Sequence, residues 1–212
     1  MAEEIGLFEA MYTQRAIRRL KPDPVPDELV NKLIEAATKA PSGGDRQPWA
    51  FIVIRDAAAK QQIGAWYRDA WDKTYGQIPQ DARDQLDDRT KRVYRSAEHL
   101  AFHLAEAPVF ILVCLTGVPR LAPNVAGASH YGSVFPAVQN LLLAARGLGL
   151  GASLTTLHKL HEDEVKQLLG IPQAVETIAL VPVGYPKGRY GPNRRRPVEE
   201  VLHMERWDPA KG

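Results

Sequence analysis

One segment limits the folds open to this chain more than any other, because seven apolar residues follow one another from Val109 to Leu115. A strand with one solvated face alternates apolar and polar residues, whereas an unbroken apolar run is typical of a strand covered on both faces. We therefore expect residues 108–115 to form a strand inside a sheet with two buried faces. A chain of 212 residues, 45% of them hydrophobic, can bury such a core, and we expect one domain over residues 1–212.

The rest of the chain alternates helical and extended patterns. Helices are predicted at 26–39, throughout 57–105, at 133–146 and at 161–169, and strands at 51–54, 152–156 and 177–183. The segment 117–129, rich in Gly, Pro and Ala, is expected to be a loop. The helix at 133–146 is apolar nearly all round, which is typical of a central or interface helix. This mixture fits an α+β or three-layer α/β/α fold.

Charge and cysteine content narrow the setting of the protein. The 27 basic and 25 acidic residues nearly cancel, which argues against a nucleic-acid or membrane footprint over the whole chain. The single cysteine, Cys114, cannot form an internal disulfide, as expected in a reducing compartment. No apolar leader or membrane-length apolar stretch is present, so we expect a cytoplasmic protein.

A glycine-rich turn lies between the helix at 26–39 and the strand at 51–54. It reads Ala-Pro-Ser-Gly-Gly-Asp-Arg-Gln-Pro-Trp over residues 40–49. Backbone N–H groups of such a turn can point at an anion or at the polar edge of a ring. An ordinary surface loop is the alternative interpretation.

Arginines cluster near both ends of the chain, at Arg15, Arg18 and Arg19 and again at 194–196. Guanidinium groups bind phosphate bidentately, so the two clusters and the turn together predict one ligand with an anionic end. Two alternatives stay open, a basic helix end for the first cluster and a nucleic-acid patch for the second.

Other motifs carry less weight. The run Gly-Leu-Gly-Leu-Gly at 147–151 follows a helix instead of opening one, so it predicts a helix end and no Rossmann fingerprint. His99 and His103 have metal-ligand spacing, but no Glu completes the pattern, and a structural role is favoured. No clear nucleophile is present, so the sequence predicts that the chemistry resides in a cofactor.

Four blocks, taken together, resemble the nitroreductase family of FMN flavoproteins. They are Gln-Arg-Ala-Ile-Arg-Arg-Leu at 14–20, the turn at 40–49, the segment 137–151, and 184–201 with its Arg-Arg-Arg-Pro-Val-Glu-Glu-Val. The blocks stand in the family's order and span about residues 8–203. The resemblance implies an α+β fold of three layers, α/β/α, with a central mixed β-sheet flanked by helices, and a homodimer with FMN in two sites at the subunit interface.

The resemblance also assigns residues. The implied flavin contacts are Arg15, Arg18 and Arg19 in the first block, Ser42, Gly43 and Asp45 in the turn, Leu154, Thr155 and Thr156 beside the ring, and Arg194 and Arg196 at the phosphate. Trp71, in an aromatic-rich segment, and Tyr131, at the end of the predicted loop, are candidates for lining the substrate face; packing is the alternative role. The chemistry is expected at flavin N5, with no catalytic side chain and no metal.

Three positions depart from the family pattern. Gln14 and Ala16 stand where members often have Arg and Ser, and Arg19 or Arg195 is expected to compensate. Asp45 stands where Asn is frequent. A carboxylate beside a reduced flavin would oppose its negative charge, so we expect Asp45 to pair with Arg46 and to face away.

The resemblance implies an FMN-dependent oxidoreductase that uses NAD(P)H to reduce nitroaromatic, quinone or activated-alkene acceptors by a ping-pong hydride mechanism. Its partners would be a second copy of the chain and small molecules, without nucleic acid or membrane. The alternatives are a specialised flavin enzyme of the same fold, either a dehalogenase or a flavin-fragmenting enzyme, and a non-catalytic flavin- or deazaflavin-binding protein.

Overall fold

The computed structural model describes residues 5–117 and 123–211, and all structural statements concern these ranges. The elements are α1 (Leu7–Thr13), α2 (Asp27–Thr38), β1 (Trp49–Ile54), α3 (Ala57–Lys73), α4 (Gln80–Asp84), α5 (Asp88–His103), β2 (Val109–Leu115), α6 (Pro123–Gly147), β3 (Gly151–Ala152), α7 (Glu162–Leu169) and β4 (Glu176–Gly184). In this described part, no helix combines the length and apolarity that a membrane crossing requires.

The four strands form one sheet in the order β1-β2-β4-β3. The α+β class expected from the sequence is confirmed. The described strand pairs are all antiparallel, however, where a mixed sheet was expected. The two long pairs, β1–β2 and β2–β4, are joined through several helices, whereas a single crossover helix is typical of parallel neighbours.

Strand β2 is central, and its side chains alternate between two helix-covered faces. Val109, Ile111 and Val113 join a core with α2 and α6. Phe110 and Leu112 join a second core with α3, α5 and α7. All seven residues of the strand are buried, which confirms the predicted two-sided burial and gives the three-layer arrangement.

Helix α6 starts earlier than the sequence patterns predict. The predicted loop at 117–129 is wrong for 123–129, which are helical, while 118–122 lie outside the described residues. Pro123 suits a helix start, because the first turn needs no backbone N–H donor, and the alanines of the segment favour a helix. Open space surrounds the Cβ position of Gly127, so this glycine does not mark a tight turn.

The other elements agree with the sequence patterns to within two residues, except at two places. The region 57–105, predicted to be helical throughout, is divided into α3, α4 and α5, because residues 74–79 and 85–87 lie outside the α-helices. The predicted strand 152–156 is the second place. Only Gly151 and Ala152 form strand β3 there, and Thr155 adds an isolated bridge to Leu180 of β4. The intervening residues leave the ladder, so the strand is shorter than predicted. The glycine run at 147–151 ends α6 as predicted, and Gly149 has a φ of 72°.

The segment that follows α1 lies beside the segment that follows β4. The Ile17 N–H donates to the Ala152 carbonyl at 3.0 Å, which docks the first segment on β3. The backbone N–H of Asn193 donates to the Tyr12 carbonyl at 2.8 Å, and its side-chain amide donates to the Gln14 carbonyl at 3.3 Å. Two segments 179 residues apart in sequence are thereby brought into contact.

Gly151 allows this close docking. A Cβ atom at this position would lie 2.7 Å from Ile17 Cγ2 and 2.8 Å from Leu20 Cδ2, closer than carbon atoms pack. Ile17 and Leu20 are both buried here, whereas Arg15 and Arg19 are exposed and Arg18 is half-buried. The packing of two apolar residues therefore sets the direction of the N-terminal arginines.

Candidate functional site

A cavity of about 590 Å³ lies between the N-terminal segment, α5 and the C-terminal basic segment. We call it the arginine cavity, because six of its lining residues are Arg15, Arg18, Arg89, Arg92, Arg194 and Arg195. The remaining lining residues are Gln14, Ala16, Val93, Ser96, Pro192 and Asn193, so no carboxylate lines it. The ion pairs of arginines in the described ranges involve other residues, namely Arg55, Arg68, Arg83 and Arg146. Six guanidinium groups in one cavity, none of them in the ion pairs just named, predict an anionic ligand.

A second cavity, of about 500 Å³, adjoins the first. We call it the aromatic cavity, because Tyr67, Trp71, Tyr75 and Tyr94 line it. Its other lining residues are Arg18, Ile78, Leu86, Thr90, Val93, Ala97, Leu154, Thr155, Thr156 and Leu157. Arg18 and Val93 line both cavities, so the two spaces meet at these side chains. Together they fit a ligand with an anionic end and a flat, largely apolar body.

Arg18 is half-buried at the junction of the two cavities. Burial lowers the pKa of its guanidinium, and the electrostatic interaction with Tyr67 opposes that effect. An arginine nevertheless stays protonated in a protein, so this position keeps a positive charge. The charge stands beside low-polarity walls, where its field is stronger than in water.

Thr155 is held in the wall of the aromatic cavity by two kinds of contact. Its hydroxyl oxygen lies 2.7 Å from the Tyr67 hydroxyl. Its backbone N–H donates to the Leu180 carbonyl at 3.0 Å and its carbonyl accepts from the Leu180 N–H at 2.9 Å. Burial raises the pKa of Tyr67, so its hydroxyl keeps its proton over the neutral range. The wall around Thr155 is therefore fixed by the sheet and by α3.

Helix α5 contributes residues to both cavities. Arg89, Arg92 and Ser96 face the arginine cavity, while Thr90, Tyr94 and Ala97 face the aromatic one. Sequence reasoning missed Arg89 and Arg92, because only the apolar face of this helix was followed. Their spacing of three residues places them on one helix face and is a signal that was available. The Asp87 carboxylate caps the helix by accepting from the N–H groups of Arg89 and Thr90 at 2.8 and 3.1 Å.

The turn at 42–47 lies apart from these two cavities. Ser42 and Gly43 line a smaller cavity of about 230 Å³ against α6. The Gly43 N–H donates to Ser133 Oγ at 3.0 Å, which ties the turn to that helix. Asp45 and Gln47 have φ values of 52° and 51°, a backbone conformation that is uncommon outside glycine. Within one chain, the turn and the arginine cavity are therefore two separate candidate surfaces.

The contacts of Asp45 differ from the expected ones. Its carboxylate accepts from Gln47 Nε2 at 3.1 Å, and Arg46 donates instead to the Gly43 carbonyl at 3.3 Å. The expected pairing of Asp45 with Arg46 is therefore wrong. Adjacent side chains in this tight turn diverge, whereas Asp45 and Gln47 lie on the same side of it.

Three further residues assigned from the resemblance lie outside both large cavities. Arg19 lines a different groove, where its Nη1 lies 3.2 Å from His99 Nδ1. Arg196 is exposed and is not a lining residue of any described cavity, whereas its neighbour Arg195 is. The Tyr131 hydroxyl, on α6, donates to a Glu176 carboxylate oxygen at 3.1 Å.

The cavities thus bring together Arg15, Arg18, Trp71, Leu154, Thr155, Thr156 and Arg194 from the predicted set. Arg195 supplies a guanidinium where Gln14 stands, so it is the better placed of the two residues expected to compensate. Within residues 5–117 and 123–211, no group of three or more His, Cys, Asp or Glu side chains is arranged to hold a metal ion. His99 and His103 stack on each other with ring centroids 4.2 Å apart.

Comparisons with known proteins concern the family and the fold of this chain. The family model described as the nitroreductase family matches residues 12–185. An archaeal protein of Methanothermobacter thermautotrophicus, provisionally named NADH dehydrogenase/NAD(P)H nitroreductase, is 30% identical over 96% of this chain and 89% of its own length. Iodotyrosine deiodinase 1 of Rattus norvegicus is 30% identical over 92% of this chain and 68% of its own.

A solved structure supports the fold. The crystal structure of a BluB-like flavoprotein from Clostridium difficile superposes with a TM-score of 0.73 and covers 95% of this chain and all of that one. The two chains are 22% identical, so this likeness concerns the fold alone.

Proposed function

Because this chain belongs to the nitroreductase family of oxidoreductases, we propose that it is an FMN-dependent enzyme that uses NAD(P)H to reduce nitroaromatic, quinone or activated-alkene acceptors. Donor and acceptor would react in turn, by a ping-pong hydride mechanism. A cytoplasmic location belongs to the same proposal.

One observation carries the cofactor assignment: the arginine cavity and the aromatic cavity meet at Arg18. FMN has a phosphate at one end and a flat ring system at the other, and the residues present fit both ends. Arg15, Arg194 and Arg195 would hold the phosphate by charge-assisted hydrogen bonds. The segment 154–156 would lie along the ring, and Arg18 would face its polar edge.

FMN, when bound, would supply the two-electron chemistry between NAD(P)H and the acceptor. The chain's own contribution is electrostatic. Arg18 places a fixed positive charge where negative charge develops during reduction, and a preorganised charge needs no rearrangement at that moment. Tyr67 and Leu180 hold Thr155 in the facing wall. Trp71 and the tyrosines of the aromatic cavity exclude water and present flat surfaces to an aromatic substrate.

The first test is the visible absorption spectrum of the purified protein, before and after anaerobic addition of NADPH or NADH. We expect flavin bands that bleach with at least one donor and return when an acceptor such as menadione is added. Flavin that neither donor bleaches would instead indicate a non-catalytic flavin protein. Failure to bind FMN, even on reconstitution, would contradict the cofactor assignment.

We also propose a homodimer in which the turn of one copy completes the site of the other. Large apolar side chains are exposed on α1, on α6 and in the C-terminal segment; they include Leu7, Phe8, Met11, Tyr12, Phe135, Val198, Val201, Met204 and Trp207. An exposed apolar set of this extent is typical of an interface. A dimer would also explain why the turn lies apart from the arginine cavity of its own chain.

Light scattering is expected to give twice the chain mass of 23.5 kDa. Phe8→Asp places a charge in the proposed interface and is expected to shift the mass toward the monomer and to release FMN. Phe102→Asp is the matched control, because Phe102 is also an exposed phenylalanine but lies on α5, outside the proposed interface, with the Arg68 guanidinium 4.2 Å from its ring centroid. A wild-type monomer that retains FMN would contradict the shared site.

Reductive dehalogenation is a second candidate function, favoured by the 30% identity to rat iodotyrosine deiodinase 1. In that reaction the carbon–halogen bond of a halophenol is replaced by a carbon–hydrogen bond; two electrons from the reduced flavin and one proton are consumed, and halide leaves. Halide release from 3-iodotyrosine by the reduced protein, with little nitro or quinone reduction, would favour this function over the first.

A further inference from the structure

We propose that Arg89 and Arg92 of α5 form an anion-binding site for a substrate, distinct from the contacts assigned to the FMN phosphate. The substrate would carry a ring that enters the aromatic cavity and an anionic group near that ring. This inference rests on the proposed flavin function and adds a substrate class to it.

The charge of the arginine cavity exceeds what one phosphate requires. Six guanidinium groups line it, without a carboxylate among the lining residues. A phosphate monoester such as that of FMN carries about 1.5 to 2 negative charges at neutral pH. Most of the positive charge would remain after FMN binds, and like charges held together repel each other unless further anions neutralise them. A volume of about 590 Å³ leaves space for a second anionic group.

The position of Arg89 and Arg92 separates them from the phosphate contacts. Both arginines belong to α5, whereas Arg15 and Arg194 belong to the terminal segments on the other walls of the cavity. Arg89 touches the terminal wall through one bond, from its Nη2 to the Arg194 carbonyl at 3.4 Å, which leaves its other guanidinium N–H groups and the Arg92 guanidinium for a ligand. The α5 wall is therefore available to a ligand other than the one held by the terminal segments.

The same helix connects this charge to the aromatic cavity. Arg89 and Arg92 alternate with Thr90 and Tyr94, which line that neighbouring space, and Val93 lines both cavities. Residues three or four positions apart on a helix have Cβ atoms about 5–6 Å apart. A ring packed against Tyr94 would therefore have the two guanidinium groups about one helical turn away.

Two anionic groups of possible substrates fit this description. The adenosine phosphate that distinguishes NADPH from NADH is one, and a carboxylate on an aromatic acceptor is the other. In both, the anionic group lies close to a flat ring, which is the adenine of NADPH in the first case and the ring of the acceptor in the second. Comparing NADPH with NADH tests for recognition of the donor phosphate. Comparing 4-nitrobenzoate with nitrobenzene tests for recognition of an acceptor carboxylate.

The test uses the FMN-loaded double variant Arg89→Gln/Arg92→Gln. The matched control is Arg95→Gln, which removes a charge from the same helix but faces a different groove, with Glu98, His99 and Phe102. Steady-state kinetics are measured with both pairs, and FMN affinity is measured by fluorescence titration. In the double variant we expect KM to rise by at least about tenfold for the member of one pair that carries the additional anionic group, NADPH or 4-nitrobenzoate, with KM for its partner NADH or nitrobenzene, kcat and FMN affinity nearly unchanged.

Each outcome is decisive. A selective loss for NADPH identifies the donor phosphate, and a selective loss for 4-nitrobenzoate identifies an acceptor carboxylate. Equal changes for the two members of each pair, or no change, would overturn the inference, and so would a fall in FMN affinity as large as the rise in KM. If the wild-type protein binds no FMN or is not bleached, it is the proposed function that fails.

Discussion

Replacing Arg15 and Arg194 together with glutamine is expected to weaken FMN binding by about 100- to 10,000-fold. Each arginine would lose a charge-assisted hydrogen bond worth about 1.5–3 kcal/mol, and the two losses need not add fully because both side chains face one cavity. The side chains are exposed, so the melting temperature of the protein without cofactor should hardly change. Fluorescence titration with FMN, beside thermal unfolding, measures both quantities.

Three single variants sharpen this experiment. Arg206→Gln removes the same charge from an exposed C-terminal position and is expected to leave the FMN affinity unaltered. Arg196→Gln tests the assignment made from the family resemblance against the geometry. Because Arg194 lines the cavity and Arg196 does not, we expect Arg194→Gln to weaken FMN more. A larger loss of FMN affinity in Arg196→Gln than in Arg194→Gln would assign the phosphate contact to Arg196. An unchanged FMN affinity in the double variant of Arg15 and Arg194 would show that the arginine cavity does not bind FMN.

The second large effect concerns acid stability and depends on Glu162, at the start of α7. Its Oε1 accepts from the backbone N–H and the hydroxyl of Thr177 at 2.8 and 2.9 Å, and its Oε2 lies 2.6 Å from Lys159 Nζ. Burial alone would raise the pKa of this carboxyl, but the bonds from Lys159 and Thr177 outweigh burial and hold the pKa at about 2. The contacts of the folded state therefore stabilise the ionised carboxylate more than they stabilise the protonated carboxyl group.

A depressed folded-state pKa contributes stability that is present above the unfolded value of 4.5 and is lost as the pH falls toward 2. The difference corresponds to roughly 3 kcal/mol, or about 2 kcal/mol after an allowance for solvent screening. We expect Glu162→Gln to lower the free energy of unfolding by about that amount at neutral pH and to flatten its decline between pH 4.5 and 2.

Urea unfolding at a series of pH values measures this effect, with Glu199→Gln as an exposed control on the C-terminal segment. The control should keep the stability and the acid slope of the wild type. An identical acid slope in the wild type and in Glu162→Gln would show that this carboxylate does not carry the proposed linkage.

The sequence predicted the fold well where one pattern dominated. Seven apolar residues in a row require a covered strand, and the structure places β2 at the centre of the sheet. The start of α6 was missed because glycine and proline were taken as loop signals, although Pro123 suits a first helical turn and alanine favours the helix. The pairing directions of the strands depend on long connections, which local patterns do not encode.

The candidate site was predictable in part. Blocks at both ends of the chain indicated an anion site, and the structure brings Arg15 and Arg194 to one cavity. Arg89 and Arg92 were not found, because which face of α5 meets the terminal segments is decided by packing across the fold. The separation of the turn from the arginine cavity was equally out of reach, since it depends on three-dimensional placement and not on order along the chain.

The meeting of two distant segments also has a consequence for the order of folding. Asn193 must reach the carbonyls near residue 14, and contacts across so long a stretch of chain form slowly because loop closure costs entropy. During synthesis the wall that contains Arg194 leaves the ribosome after the strands of the sheet. A nascent chain can therefore assemble its sheet before the arginine cavity is complete, which would place cofactor loading after the formation of the core.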